Sequence, residues 1–496
     1  MAEHDKVKKE VSLKMNFILN SILAASNFIF PLISFPYVSR VLKAAGNGNV
    51  NWATDFVAYF AMIAGLGIPT YGIKACAKVR DDRKKLSHVV QELFIINIVV
   101  SLLSATALTV CIFTIPKLRE DKKLFMICGL IIFFNLIGME WVYKGLEKYK
   151  FITVRSMIFK AIALVGMFLF VHKESDYLKY AVLTIFASSA SSVLNLLNIR
   201  KYISFKKTGP YEFRKHMKAV SVFFAMSCAT IVYTKLDSIM LGFMINKKEV
   251  GYYHASVKIK EILVTIVTSL GAVLLPRASY YVKNNMMDEF RRISGKAINF
   301  VMVLAAPLML YFMIFATEGI YFLAGPEYTY SIVPMIYIMP TLFLIGLSNI
   351  LGMEMLVPTG REKIVLYSVI AGAVTDLALN LIYIPKLGAA GAALGTLVAE
   401  CVVLIWQCVV LRDEIRGLFK NIFAWKILLG LLIGSASCFW VKLLPMGNTE
   451  KECFIKIIIS GILFFGSYGV TLLVTKEKIT RDIFDSVIGK LRKKKN

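Results

Sequence analysis

The chain has 496 residues, 57% of them hydrophobic, and 58 Lys and Arg against 32 Asp and Glu give it a formal charge of +26. No water-soluble core of this length needs so much apolar surface, and the apolar runs recur from end to end, so the composition indicates a polytopic, all-α membrane protein. The basic residues sit mostly in short stretches between apolar runs, where they set topology and meet anionic lipid headgroups, so nucleic acid is not an expected partner.

Fourteen segments have the length needed to cross a bilayer, for which about 20 residues suffice. They are 15–39, 52–73, 88–115, 123–143, 151–171, 177–199, 220–244, 250–275, 297–317, 331–356, 364–384, 388–411, 422–442 and 455–475. The N-terminus is charged up to Lys14 and its first apolar run continues to about Val38. That is too long for a signal-peptide core and lacks an Ala-x-Ala site, so the run is expected to remain as a first span. An even number of spans places both ends on one side, and the excess of Lys and Arg assigns that side to the cytoplasm.

The longest loop, Arg200–Lys218, carries seven basic residues and separates six spans from six, with two more spans and a basic tail, LRKKKN, beyond. The expected division is a first lobe at 1–199, a basic cytoplasmic linker at 200–219, a second lobe at 220–411, and two further spans with the tail at 412–496. Each half begins on the same side, so the halves can be parallel repeats about an axis normal to the membrane. Pro31 and Pro36 interrupt the first span, and Gly65, Gly67 and Pro69 the end of the second. Such residues are tolerated where neighbours or water re-satisfy the backbone. Gly391-x-x-x-Gly395 in the twelfth span is read as a close-approach surface for another helix.

The stretch Tyr233–Pro276 stands apart, because two apolar helices joined by a turn at Ile245–Gly251 keep charges inside them. Lys235 and Asp237 lie in the first helix, and Lys258, Lys260 and Glu261 in the second. A charge near the bilayer centre costs about 2.5–3.5 kcal/mol on insertion scales, so it persists only when paired or facing a wet cavity. Both clusters lie at similar depth, about 10–15 Å from the turn. Lys235 and Asp237 point to nearly opposite faces, Lys258 and Glu261 can pair at a spacing of three, and Lys260 points elsewhere. Three lysines against two acids leave one positive charge over, which favours an anionic ligand; a salt-bridge network between packed helices is the structural alternative.

Other charges inside spans are weighed the same way. Asp376 and Glu400 fall near the midplane of neighbouring spans and are candidates for ion or proton coupling, since burial favours an uptake of protons by a carboxylate; packing residues are the alternative. Arg155 and Lys160 lie closer to the cytoplasmic side, where Arg155 can snorkel. Arg40, Asp55 and Lys74 sit at ends of the first two spans, as rim anchors or as first-half counterparts of the lysines. The eight cysteines include no C-x-x-C and the five histidines no metal spacing, so neither a metal nor a cofactor is expected.

Several blocks together resemble one family. LGIPTYGIKACAKVRDD (Leu66–Asp82), GMEWVYKGLEKYKFITVRSMIFK (Gly138–Lys160), TKLDSIMLG with VGYYHASVKI and TSLGAVLLPRASYY, and GLSNILGMEMLVPTGREK (Gly346–Lys363) with IPKLGAAGAALGT are similar to the Wzx-type polysaccharide-repeat-unit flippases. Their superfamily also holds the lipid II flippases and the MATE drug exporters. The resemblance covers roughly residues 12–411. It implies two pseudo-symmetric six-helix lobes forming a V-shaped central cavity, with two C-terminal helices added. It also implies an inner-membrane carrier that turns undecaprenyl-pyrophosphate-linked oligosaccharide from the inner to the outer leaflet, for lipopolysaccharide, capsule or exopolysaccharide. Membrane lipids, a polysaccharide polymerase and export proteins are its implied partners. Lys235, Asp237, Lys258, Lys260, Glu261, Arg40 and Lys74 would then line the cavity, the cations meeting the pyrophosphate. After the first span the family usually has a Gly-rich block like LGPEGYG where this chain has LKAAGNGNVNW, so Asp55 receives no role from the resemblance.

A MATE-type drug exporter and a lipid II flippase share the superfamily, although a lysine-rich cavity suits cationic drugs poorly. A membrane glycosyltransferase or polymerase needs catalytic groups on a sizeable outer loop, and none of the expected outer loops exceeds about fifteen residues. An ATP-driven pump needs G-x-x-x-x-G-K-[ST], which is absent. The expectation is a transporter, not an enzyme.

Overall fold

The computed structural model describes residues 2–207, 209–419, 423–445, 447–478 and 480–481, without side chains at 270–273 and at most positions before 29. The basic tail, LRKKKN, lies outside the described residues. Among those described the chain is helical, with no strand. It divides into two compact units, residues 1–251 and 252–496.

The first unit holds α1 (Ala2–Gly65), α2 (Ile68–Lys78), α3 (Arg83–Thr114), α4 (Pro116–Glu120), α5 (Lys122–Gly138), α6 (Glu140–Gly145), α7 (Tyr149–Phe170), α8 (Tyr177–Ile185), α9 (Ser192–Asn198) and α10 (Arg214–Met244). It also takes in the start of α11 (Lys247–Lys283). The second unit continues with α12 (Met287–Ile314), α13 (Ala316–Leu323), α14 (Ile332–Ile338), α15 (Pro340–Asn349), α16 (Glu362–Leu387), α17 (Ala389–Val410), α18 (Arg412–Phe419), α19 (Ala424–Phe439) and α20 (Glu450–Val474).

The spanning helices are inverted relative to those of a soluble protein. In α3, Asn97, Ser101 and Ser104 are buried while Leu102 and Leu103 are more than 60% exposed. The inward polar groups reach backbone carbonyls of α1: Asn97 donates to Ala64 at 2.6 Å and Ser104 to Phe60 at 2.7 Å. With lipid outside there is no hydrophobic reward for burying leucine, so small and hydrogen-bonding residues line the contacts. In α16 the buried positions Ser368, Gly372, Asp376, Asn380 and Ile384 recur every fourth residue, which draws one stripe along the helix. That stripe meets Gly391 and Gly395 of α17. A Cβ on Gly391 would lie 2.4 Å from the Tyr383 carbonyl oxygen, and one on Gly395 2.5 Å from Asn380 Oδ1, so the close-approach surface is used.

Eleven helical stretches have the length and composition to cross a membrane, or twelve when the bent pair Pro326–Ile338 and Pro340–Leu356 counts as one. The described residues therefore do not yield fourteen separate spans. Two segments account for the difference. In α1 two helices meet at a kink at Lys43 (φ 56), inside the expected loop between segments 15–39 and 52–73, so the two segments fall in one helical stretch that counts once. Helix α5 has only 17 residues before the chain turns left-handed at Met139. The breakers at the end of the second segment behave as read: Leu66 and Gly67 both take positive φ, and Pro69 sits in the first turn of α2.

The last two spanning helices pack on α12. Tyr468 donates to the Val303 carbonyl at 2.9 Å, and Tyr311 to the Ile457 carbonyl at 2.8 Å beside Phe464.

The α16–α17 contact generates a stability test. Gly391→Ala forces a Cβ against rigid backbone, where overpacking costs about 1–3 kcal/mol. Gly466→Ala in α20 adds a Cβ with nothing within 4 Å. Melting followed by size-exclusion chromatography is expected to show a clear loss for the first and no loss for the second; equal melting of both would mean the two backbones part without cost.

Candidate functional site

Helix α10 carries its charges against α1. The Lys235 ammonium lies 2.7 Å from the Asp55 carboxylate, with Asp55 5% exposed and a third of the Lys235 side chain exposed. Asp237, two residues on, is buried, as expected of a residue on the opposite face. Asp55 and Asp237 both act on the Tyr59 hydroxyl, which donates to the Val232 carbonyl at 3.4 Å. Two acids, one lysine and a tyrosine thus gather where α1 crosses α10.

The contact is possible because the backbones nearly touch beyond it. A Cβ on Gly242 would fall 2.0 Å from Trp52 Nε1, one on Gly48 1.8 Å from the Lys247 carbonyl oxygen, and one on Gly251 2.1 Å from that of Ala44. Trp52 packs edge-on against Phe125 and Phe243. Lys247 closes this end by pairing with Asp121 and, at 3.7 Å, with Glu120.

A cavity with a largely apolar lining and a few polar groups continues along the unit. One part, of about 290 Å³, is lined by Thr54, Thr70, Asn135 and Ser227 among others. It shares Ala61, Gly65, Pro69 and Asn135 with a part of about 260 Å³ lined by Asn97, Ser101, Glu140 and Lys144. Glu140 pairs with Lys144 at 2.9 Å and with Arg155 at 3.6 Å. Arg155 is a correction to the snorkelling expectation. Its side chain is buried and donates to the Ser191 carbonyl at 2.7 Å, just after the π-turn Phe186–Ala190. Lys160 donates to Ser26 at 2.8 Å. Glu140 and Lys144 were missed by sequence reasoning; their i,i+4 spacing inside the block Gly138–Lys160 was the available signal.

In the second unit Lys258 and Glu261 of α11 pair at 3.5 Å, on one face as their spacing required. Lys260 is half-buried and makes no ion pair among the described residues. Asp376 and Glu400 are both buried near the middle of α16 and α17. They belong to a polar row that includes Asn380 and Thr396, and Tyr253 of α11 reaches that row through Thr396 at 3.4 Å.

Arg40 turns back on its own helix and donates to the Pro36 carbonyl at 2.6 Å. Lys74 is exposed on α2 and has no ion-pair partner among the described residues. A further hub lies at Glu92 of α3, whose fully buried carboxylate accepts from the Glu212 N–H at 2.6 Å and from His216 Nε2 at 2.9 Å, with Lys215 at 3.1 Å and His88 at 3.3 Å. A carboxylate only accepts, so His216 Nε2 carries a proton, and Tyr71 meets its Nδ1 at 2.8 Å. This hub ties the end of the basic linker to α2, α3 and α10. No group of residues suited to hold a metal ion occurs among the described residues.

The fold of this multi-pass helical chain is similar to those of solved membrane transporters. Lipid II flippase MurJ in an inward closed conformation superposes with a TM-score of 0.69 at 15% identity, over 93% of this chain and 100% of that one. An inward-facing MATE family multidrug resistance transporter gives 0.59 at 14% identity, over 78% and 98%. Residues 13–282 match the family described as "Polysaccharide biosynthesis protein", and the chain belongs to that family. A "Putative O-antigen transporter" of Escherichia coli is 23% identical over 410 residues, 82% of this chain and 98% of that protein. A "Probable low-salt glycan biosynthesis flippase" of Haloferax volcanii is 20% identical over 256 residues, 52% of this chain and 53% of that one.

The α1–α10 pair yields a double-variant test. Breaking a buried ion pair from one side costs about 3–5 kcal/mol, and less here because Lys235 is partly exposed. Lys235→Ala alone is expected to lower the melting temperature and the amount of protein in the membrane, since Asp55 keeps its charge without the ammonium. Asp55→Ala combined with Lys235→Ala is expected to recover both, and a double variant no better than the single one would deny that the pair is coupled.

Proposed function

We propose that this protein is a lipid-linked oligosaccharide flippase, carrying undecaprenyl-pyrophosphate-linked polysaccharide repeat units from the inner to the outer leaflet by alternating access. Family membership and the O-antigen transporter relatives support the reading. The observation that carries it in this chain is Lys260, a cation inside a membrane-length helix with no ion-pair partner among the described residues, beside Lys258 with only Glu261 to answer it. An unanswered cation at that depth is costly unless its partner arrives with the cargo, and a pyrophosphate supplies such a partner through charge-assisted hydrogen bonds. Lys235, Asp237, Arg40 and Lys74 are the remaining candidates for the cargo path, Glu261 keeping Lys258 oriented. The lobes 1–199 and 220–411, with the linker 200–219 between them and 412–496 appended, are the working division of the transport cycle.

The same reading places the protein in the inner membrane with both termini cytoplasmic, because the basic residues between spans accumulate on that side. A polysaccharide polymerase and export proteins are its expected partners downstream. Chemistry on the cargo is not part of the role: the protein moves its substrate without making or breaking a covalent bond.

Lys260→Ala is expected to abolish complementation of polysaccharide export while leaving the amount of protein in the membrane unchanged. Lys260→Arg is expected to keep part of the activity, since the charge survives with altered geometry. Full export by Lys260→Ala would remove Lys260 from the cargo site.

Asp376 and Glu400 are proposed as the coupling groups, because a carboxyl buried at the midplane can bind a proton on one side and release it on the other. Asp376→Asn and Glu400→Gln are each expected to bind cargo but to lose gradient-driven transport in vesicles. Unchanged transport and pH dependence in both would make the two acids packing residues.

A further inference from the structure

The strongest unassigned feature lies away from the cavity, at the end of the first unit where α2, α3, α6, α7 and the turn after α9 meet. A cleft of about 540 Å³ opens there, lined by Arg80, Asp81, Arg83, Leu86, Leu146, Glu147, Lys148, Lys201 and Tyr202. It shares no residue with the cavity already described in the same unit. Its volume is in the range of ordinary ligand sites.

The walls are built, since contacts far apart in sequence hold them. Arg80 pairs with Glu147 at 2.7 Å, joining the end of α2 to the turn before α7. Arg83 donates to the Arg200 carbonyl at 3.2 Å, joining the start of α3 to the turn after α9. Lys148 lies over the Tyr202 ring at 5.6 Å, and Tyr202 in turn packs edge-on against Tyr143. Leu86 and Leu146 supply an apolar floor.

Four cations line this cleft against two acids. Arg80 is answered by Glu147, but Lys148 and Lys201 have no carboxylate partner among the described residues. The neighbouring Asp82 does not serve them. It caps α3 by accepting from the Lys84 and Lys85 N–H groups at 2.9 and 3.1 Å, bonds that hold its carboxyl below the usual range, the one from Lys85 most strongly. The cleft thus keeps a surplus of positive charge that the fold does not neutralise.

Depth points to the ligand. Helix α3 has 32 residues, about 48 Å at ~1.5 Å per residue, against a hydrocarbon core of about 30 Å, so its first turns stand at headgroup level. On α7 the outward, apolar Val154 and Ile158 begin within two to three turns of Lys148. We propose that this cleft binds the phosphate of an anionic lipid headgroup, with Lys148, Lys201 and Arg83 as its ligands and the Leu86–Leu146 floor under the glycerol. The assignment requires only a membrane and not the flippase reading.

The test uses the full chain reconstituted in vesicles of phosphatidylethanolamine with phosphatidylglycerol, retained phosphatidylglycerol being counted by native mass spectrometry, and a parallel titration with inorganic pyrophosphate. A cation near a membrane surface contributes about fivefold to lipid affinity, so Lys148→Gln with Lys201→Gln is expected to weaken retention roughly thirtyfold. Lys84→Gln with Lys206→Gln removes two exposed cations outside the cleft and is expected to change retention less than about twofold, because diffuse surface charge is screened. Lys148→Arg with Lys201→Arg is expected to retain binding. Pyrophosphate binding lost in the same pair, without phosphatidylglycerol retention, would keep the phosphate site and assign it to a soluble ligand. Equal losses in the two Gln pairs, or no loss in the cleft pair for either ligand, would overturn the proposal.

Discussion

Asp55 and Lys235 meet at 2.7 Å across 180 residues of sequence, and the constraint they obey governs the rest of the molecule. A charge inside a membrane-length helix has no water to fall back on, so it must be met by another group at the same depth. Meeting it fixes how α10 lies on α1, and the glycines at 48, 242 and 251 let the backbones come close enough for the pair to form. Arg155 obeys the same constraint with the Ser191 carbonyl and Glu140, and Glu92 with two histidines, a lysine and a backbone N–H.

The constraint also explains why the helices are inverted. A stripe of Ser, Gly, Asp and Asn at every fourth position of α16 would weaken a soluble core, but in lipid it is the side on which helices can find each other. Leucines facing outward on α3 carry no cost where the solvent is itself hydrocarbon. Polar residues inside spans are therefore the positional information of this fold, and the apolar majority is filler by comparison.

That is also why the sequence was legible in some places and not in others. Local relations could be read directly: the Lys258–Glu261 pair at spacing three, the Gly391–Gly395 surface, and the breaks at Gly65–Pro69 all follow from helix geometry over a few residues. The resemblance reached the family and the fold through blocks of residues rather than through geometry. What stayed hidden was either long-range or cooperative. Nothing near Lys235 in sequence announces Asp55, and nothing near Glu92 announces His216. The extent of the break between the first two segments was hidden as well: the chain leaves helical geometry only at Lys43 and resumes it at once, with Asn51 donating to Asn47 at 3.2 Å. Arg155 was expected to reach water; the Ser191 carbonyl satisfied it first.

Sorting the cations by what answers them separates structure from function more sharply than sorting them by depth. Lys235, Lys247, Lys144 and Arg155 each end on a carboxylate supplied by the fold, and their removal should be felt first in stability. Lys260 in a spanning helix, and Lys148 and Lys201 at headgroup level, meet no carboxylate among the described residues. A chain under selection to stay folded in lipid gains nothing by keeping the first of these, since neutral residues of similar length fit a helix as well. Its retention is intelligible when the missing anion is delivered by the cargo, and at the surface the bilayer itself supplies the anions. One physical rule, that a charge must be answered where it sits, thus underlies both the proposed cargo site and the proposed lipid site, in different environments of the same protein.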